Sequence, residues 1–168
     1  LLSVLIWLEF SLASPAHLPI PSSKATISKA YWDMNDDQQE GAVLELPLTV
    51  PNLERAVYVW NQRAHNRPVP WGLNDPMPRN LLKNNLMNTL IGIESTRAMN
   101  LPPILPELDL VVSSRVLIRQ GYRYIVVHEK LYPPFKFRQV RDLLTALFGS
   151  PKSYPEDNLL VFRLELEQ

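Results

Sequence analysis

An α/β fold built on a small sheet is the architecture this sequence predicts, and three observations predict it. Gly121 is followed by Tyr-Arg-Tyr-Ile-Val-Val-His128, a short run of β-branched and aromatic residues closed by the polar His128-Glu129-Lys130. Such a run reads as a buried strand rather than a helix. Helical periodicity lies on both sides of it, at about 107–120 and 136–148, so the strand has helices to cover its two faces. A second core strand over 42–47 and a C-terminal β-hairpin complete the expected sheet.

The chain opens on Leu1-Leu-Ser-Val-Leu-Ile-Trp-Leu-Glu-Phe-Ser-Leu-Ala13. A helix of this length covers about 20 Å, short of the ~30 Å of a bilayer core. Three readings stand side by side. The segment is the end of a transmembrane helix, with Trp7 near the polar boundary where aromatic residues favour the interface. Or it is the apolar part of a signal peptide, with Ser11-Leu12-Ala13 as a small-x-small cleavage pattern. Or it is an apolar helix packed on the domain. The first is carried forward, giving a membrane segment over 1–13, a proline-rich spacer and acidic segment over 14–40, and an α/β domain over 41–168.

The spacer Pro15-Ala-His-Leu-Pro-Ile-Pro-Ser-Ser23 is extended by its prolines. Residues 28–39 form a weak helix or loop, with Asp33, Asp36, Asp37 and Glu40 as a solvated face. A calcium loop starting at Asp33 would need glycine sixth and glutamate twelfth; Gln38 and Leu44 stand there. In the strand Gly41-Ala-Val-Leu-Glu-Leu-Pro-Leu48, Glu45 lies near the C-terminal end, where α/β sheets bind ligands. It is either a site residue or a carboxylate paired to an arginine or facing solvent.

Leu53, Ala56, Val57, Trp60 and Ala64 fall at helical spacing, predicting a helix over 53–64. The loop that follows, Asn61 to Arg79, is long and lacks a pattern of its own, which marks it as the best local candidate for a site. Gln62 and His65 lie one turn apart and can hold a ligand, and Arg67 and Arg79 can grip an anion. The competing reading has Gln62 and His65 closing the helix and fastening the loop. A helix from about Asn80 carries the stripe Leu82, Leu86, Leu90, Ile93, with Lys83, Asn84, Asn88 and Thr89 opposite.

Asn100-Leu-Pro-Pro-Ile-Leu-Pro106 ends it, and Glu107 and Asp109 open the next helix where its dipole favours negative charge, with Arg115 and Arg119 at the other end. Gly121 is its C-terminal stop. Phe137, Val140, Leu143, Leu144, Leu147 and Phe148 define the last helix, stopped by Gly149 and Pro151. In the final strand Arg163 and Glu165 face one way, and Phe162, Leu164 and Leu166 the other.

Composition narrows the chemistry. With 168 residues, 46% of them apolar, the chain can bury one core. Its formal net charge of zero points away from nucleic acid. It has no cysteine, hence no disulfide and no thiolate nucleophile or ligand, and sixteen prolines against five glycines stiffen the connections. The three histidines, His17, His65 and His128, have no metal-ligand spacing, so neither a metal nor another cofactor is expected. Hydrolase and nucleotide-binding glycine motifs are missing as well. His128, at the end of the central strand, stands where an α/β site residue would, though strand-end histidines also serve structure. Arg115, Arg119, Arg123, Lys130, Lys136, Arg138 and Arg141 concentrate positive charge in the second half, either dispersed over the surface or gathered on lipid headgroups or a phosphate.

In order, the apolar helix end, the proline-rich spacer, Ala42-Val-Leu-Glu-Leu-Pro47, Gln62-Arg-Ala-His-Asn-Arg-Pro68, Gly121-Tyr-Arg-Tyr-Ile-Val-Val-His128 and Leu160-Val-Phe-Arg-Leu164 resemble the C-terminal soluble domain of polytopic bacterial membrane proteins. Those proteins are similar to glycosyltransferases of the protein-mannosyltransferase and aminoarabinose-transferase superfamily, which use a lipid-phosphate-linked sugar. The resemblance implies an extracytoplasmic domain, membrane attachment through the N-terminal segment, and a glycan or lipid-phosphate-sugar as partner. It implies no catalytic residue here, because the catalytic acid is expected in an early extracytoplasmic loop outside this chain. In the Gln62–Pro68 pattern, Asn66 stands where glycine is expected. The alternative is a secreted or periplasmic module that binds a glycan or an anion.

Overall fold

A computed structural model describes residues 26–70, 72, 75–95 and 107–165. The apolar segment 1–13, the spacer, the proline break at 100–106 and Leu166 lie outside the described residues. Helix α1 (Lys29–Asn35) leads to strand β1 (Ala42–Leu46), and helices α2 (Asn52–His65), α3 (Arg79–Leu82), α4 (Asn85–Ser95) and α5 (Glu107–Arg119) then lead to β2 (Tyr122–His128). A 3₁₀ turn over Glu129–Leu131, helix α6 (Pro134–Phe148) and the hairpin β3 (Lys152–Tyr154) and β4 (Leu159–Arg163) follow.

The four strands lie in the order β1-β2-β4-β3. β1 runs parallel to β2, while β4 is antiparallel to both β2 and β3. Because successive side chains leave a strand on opposite faces, the sheet buries two cores. Leu44, Leu46, Ile125 and Val127 face α3–α6, meeting Leu81, Leu90, Leu117, Val140 and Leu144. Val43, Tyr124 and Val126 face Ala30, Tyr31 and Met34 of α1 and Ala64 of α2. β2 is therefore covered on both faces, as its composition requires.

β1 is a buried strand at the sheet's edge. The chain after α2 runs along that edge, where the Val43 N–H donates to the Pro68 carbonyl at 2.9 Å. Pro68 and Pro70 offer no N–H to a further strand, so the edge is closed to pairing. At the other end of the crossover, Gly121 takes φ 94°, a left-handed conformation natural to glycine, and its N–H closes α5 on the Ile118 carbonyl.

Two sequence expectations are corrected. The single helix expected from about Asn80 is two helices, parted at Lys83–Asn84. Asn84 is the reason: its Oδ1 accepts the Met87 N–H, capping α4, while its Nδ2 donates to the Ser113 carbonyl of α5. The break turns the stripe, so that Leu81 is fully buried and Leu82 is 46% exposed, with Asn84 and Thr89 also buried. The acidic segment is likewise more than a solvated face. Ser28 Oγ accepts the Ala30 N–H and starts α1, and Asp33 accepts hydrogen bonds from Lys29, Lys152 and Tyr154. Those lysines hold the Asp33 carboxyl well below the usual range.

Leu81→Ala is expected to cost about 3 kcal/mol by opening a cavity, and Leu82→Ala less than about 0.5 kcal/mol. Urea denaturation of the two variants checks this, and equal losses would mean that the stripe runs unbroken.

Candidate functional site

Five of the six residues singled out in the sequence meet in one buried network between the sheet and the α1/α2 layer. Strand alternation puts Glu45 on that face beside Val43, and the register that pairs Glu45 with Val126 brings His128 to the same face one step further along. The His128 Nε2 lies 2.7 Å from Glu45 Oε2. A carboxylate only accepts, so Nε2 carries the hydrogen. The Tyr31 hydroxyl, arriving from the first turn of α1, donates to the same Oε2 at 3.0 Å and lies 3.2 Å from His128 Nε2. Burial, and then the Glu45 charge, push the Tyr31 hydroxyl well above its ordinary value, which keeps it a donor. The ring of Tyr58 packs on His128 at 4.9 Å, and its hydroxyl donates to the Pro47 carbonyl.

The second half of the network closes α2. Asn66 takes φ 52°, and its N–H returns to the Gln62 carbonyl. This left-handed position suits glycine or asparagine. The asparagine found in place of the expected glycine therefore preserves the turn, and its Nδ2 adds a bond to Asn35. The Arg67 N–H then donates to His65 Nδ1 at 3.1 Å, and Gln62 Nε2 donates to the Arg67 carbonyl at 3.0 Å. The Arg67 guanidinium reaches back to the carbonyls of Met34, Asp37 and Gln39 and lies over the Tyr124 ring. His65, with its ring 5.6 Å from that of Tyr31, joins the two halves.

The chemistry open to this network is limited. Burial, and then the Arg67 charge, lower the His65 pKa to about 4, so the ring is neutral, with its hydrogen on Nε2. That Nε2 and Glu45 Oε1 are both buried without a partner among the described residues. A cavity of about 10 Å³ touches Glu45, Tyr58, Val69 and Pro70, room for about one water molecule and for no substrate. Arg67 is committed to backbone carbonyls and is buried, so it is no anion clamp. Arg79 is exposed at the start of α3 and stays outside the network. Tyr31 and Tyr58 were missed in the sequence. The Ser28 cap followed by Ala30, Tyr31 and Met34 at helical spacing signalled α1, but nothing local signalled what Tyr31 would touch.

At the opposite, N-terminal ends of β1 and β2 lies an open cleft of about 740 Å³. Asn35, Gln38, Asn66 and Gln120 bring amides to it, and Asp37 and Glu40 bring carboxylates. Asp37 is already bonded to the Tyr124 hydroxyl and paired with Arg163 at 3.2 Å. Among the described residues no helix is long and apolar enough to cross a membrane, and no group of three or more acidic, histidine or cysteine side chains is placed to hold a metal ion. Comparison with protein-family models, with curated proteins and with solved structures returns no match.

Removing the acceptor from a buried hydrogen-bonded set leaves its donors unsatisfied. Glu45→Leu, which leaves the Tyr31 and His128 donors without an acceptor, should cost about 3 kcal/mol, and Tyr31→Phe about 1 to 2 kcal/mol. The double variant should fall short of their sum, since both act on one oxygen. Strict additivity in a denaturant double-mutant cycle would show that the two do not share it.

The His65 value of about 4 lies below its ordinary 6.5, so protonation favours unfolding. The stability it contributes is whole above about pH 6.5 and is lost as pH falls toward 4, at up to about 1.4 kcal/mol per unit. Asp33 and Asp37, both held low, add their losses only below the usual carboxylate range. Glu94, raised by burial, acts in the opposite sense. Stability measured from pH 6.5 to 4 should therefore fall less steeply in His65→Gln than in the parent, and an unchanged slope would assign the titration to another group.

Proposed function

We propose that this chain is a non-catalytic, extracytoplasmic domain of a multi-span membrane protein of glycosyltransferase-like kind, and that its open cleft helps to hold a polyhydroxylated acceptor. The observation that carries the reading is where the reactive side chains go. Glu45, His128, His65 and Arg67 are spent on joining α1, β1, α2 and β2, and the cavity beside Glu45 admits no substrate. A Glu-His pair can serve as a general base only with a substrate or nucleophile in reach. Here the nearby hydroxyl, that of Tyr31, is turned to the carboxylate.

The larger cleft has a volume suited to a ligand, and its groups favour hydroxyls over anions. Amides and carboxylates both accept, and the amides also donate, which matches the alternating demands of a sugar. Arg67, the cation in its lining, is occupied, while Asp37 and Glu40 repel negative charge. At this cleft the same groups favour the glycan over the anion in the binding-module alternative.

NMR titration of the full chain tests both parts. Neutral oligosaccharides should shift the amides of Gly41 and Gly121, and Gln38→Ala/Glu40→Ala, changing two exposed side chains, should weaken binding roughly tenfold. Preference for anionic sugars would refute the cleft assignment. Transfer of sugar from a polyprenyl-phosphate donor by this chain alone would refute the non-catalytic one.

A further inference from the structure

The positive charge of the second half does not share one face. Arg123 turns inward to the carbonyls of Ile118 and Tyr122, and Lys136 donates to the Glu94 carbonyl. Lys130, Arg138 and Arg141 instead converge on one open cleft of about 450 Å³, between the 3₁₀ turn and the first turns of α6. Two acids lie close. Glu129 is in the lining, and Asp142 is 2.8 Å from Arg141 in an exposed pair. Tyr132, also in the lining, gives its hydroxyl to Glu94 at 2.6 Å. Lys130 and Arg138 are exposed, and no acidic partner is recorded for either among the described residues.

Two apolar side chains stand beside these cations in the open. Leu131 is 38% exposed and Phe135 is 36% exposed. Leu131 follows Lys130, and Phe135 lies one turn before Arg138 on the same helix face. A phosphate ion would engage the cations and leave both apolar groups in water. A phospholipid at a bilayer surface engages both, with its phosphate against the cations and its acyl boundary against Leu131 and Phe135.

The direction of α1 agrees with this. Its first turn meets Glu45 and His128 near the C-terminal ends of β1 and β2, while Asn35, in its last turn, meets Asn66 at the other end. The chain therefore enters the described domain at the edge that carries the cationic cleft. We infer that this edge is a docking surface for anionic phospholipid headgroups, with Lys130, Arg138 and Arg141 binding phosphate and Leu131 and Phe135 entering the interface. The inference rests on the membrane placement proposed above for the source of the phosphate, and it is independent of what the acceptor cleft binds.

Sedimentation of the full chain with vesicles tests it, using phosphatidylcholine alone and phosphatidylcholine with phosphatidylglycerol. Stronger binding to the anionic vesicles is expected, screened by added salt. Lys130→Gln/Arg138→Gln should weaken that binding roughly 25-fold, about fivefold per cation, and leave binding to neutral vesicles unchanged. Leu131→Ser/Phe135→Ser should weaken it as well, with the urea midpoint confirming that each exposed variant folds. Equal binding to both vesicles, unmoved by either variant, overturns the docking surface alone. Absence of binding to either overturns the membrane placement with it. If inorganic phosphate displaces the chain from anionic vesicles while the Leu131/Phe135 variant binds them normally, the site takes soluble phosphate and the lipid source is wrong.

Discussion

The burial of the Glu45 carboxylate is the constraint on which the α1/α2 side of the structure depends. The residue is 1% exposed, on a strand whose neighbouring positions are all apolar. An ionised carboxylate in such a place is costly unless donors surround it. Its two donors come from elements far apart in the chain, Tyr31 before it and His128 well after it. Neither is positioned until α1 has docked and β2 has paired in register with β1. A one-residue slip of β2 would turn His128 to the other face and leave Glu45 alone. The contact therefore selects a single arrangement of helix and strands, which an all-apolar layer would specify less sharply.

The two faces of the sheet mix area and direction in different proportions. Toward α3–α6 the contacts are mostly leucine, isoleucine, valine and phenylalanine, which add area, with a few directed bonds such as Tyr132 to Glu94 and Asn84 to Ser113. Toward α1 and α2 the apolar cluster is smaller and is threaded by directed bonds: Arg67 to the Met34 carbonyl of α1 and to those of Asp37 and Gln39 after it, Tyr124 to Asp37, and Lys152 and Tyr154 to Asp33. The Tyr124 hydroxyl is pushed up to about 12 by burial and by its donation to Asp37, which keeps it a donor. A seven-residue helix has little stability of its own, so these bonds keep α1 on the sheet. Glu45, His65, Arg67 and His128, which look reactive in the sequence, are among the residues tied into this layer.

Much of the fold was legible in local pattern. β2 and α6 announce themselves through composition and spacing, and the left-handed turns at Gly121 and Asn66 fall where glycine and asparagine allow them. The split between α3 and α4 was harder to read, because Leu82, Leu86 and Leu90 keep helical spacing across it. Asn84 looked like a polar-face residue until its amide was seen to cap one helix and tie another. The candidate residues were recognisable as types, but their grouping was not.

The sequence by itself determined the α/β class, the places of the strands, the exclusion of cysteine chemistry and the polar residues able to do work. Those follow from periodicity, backbone preference and composition, which act between near neighbours in the chain. Only the tertiary structure decided that Tyr31, Glu45, His65 and His128 form one buried network, that Arg67 is a brace, and that Lys130, Arg138 and Arg141 share a cleft. Those outcomes depend on strand register and helix docking, and so on contacts between residues as distant as Tyr31 and His128, 97 positions apart, and Asp33 and Tyr154, 121 apart.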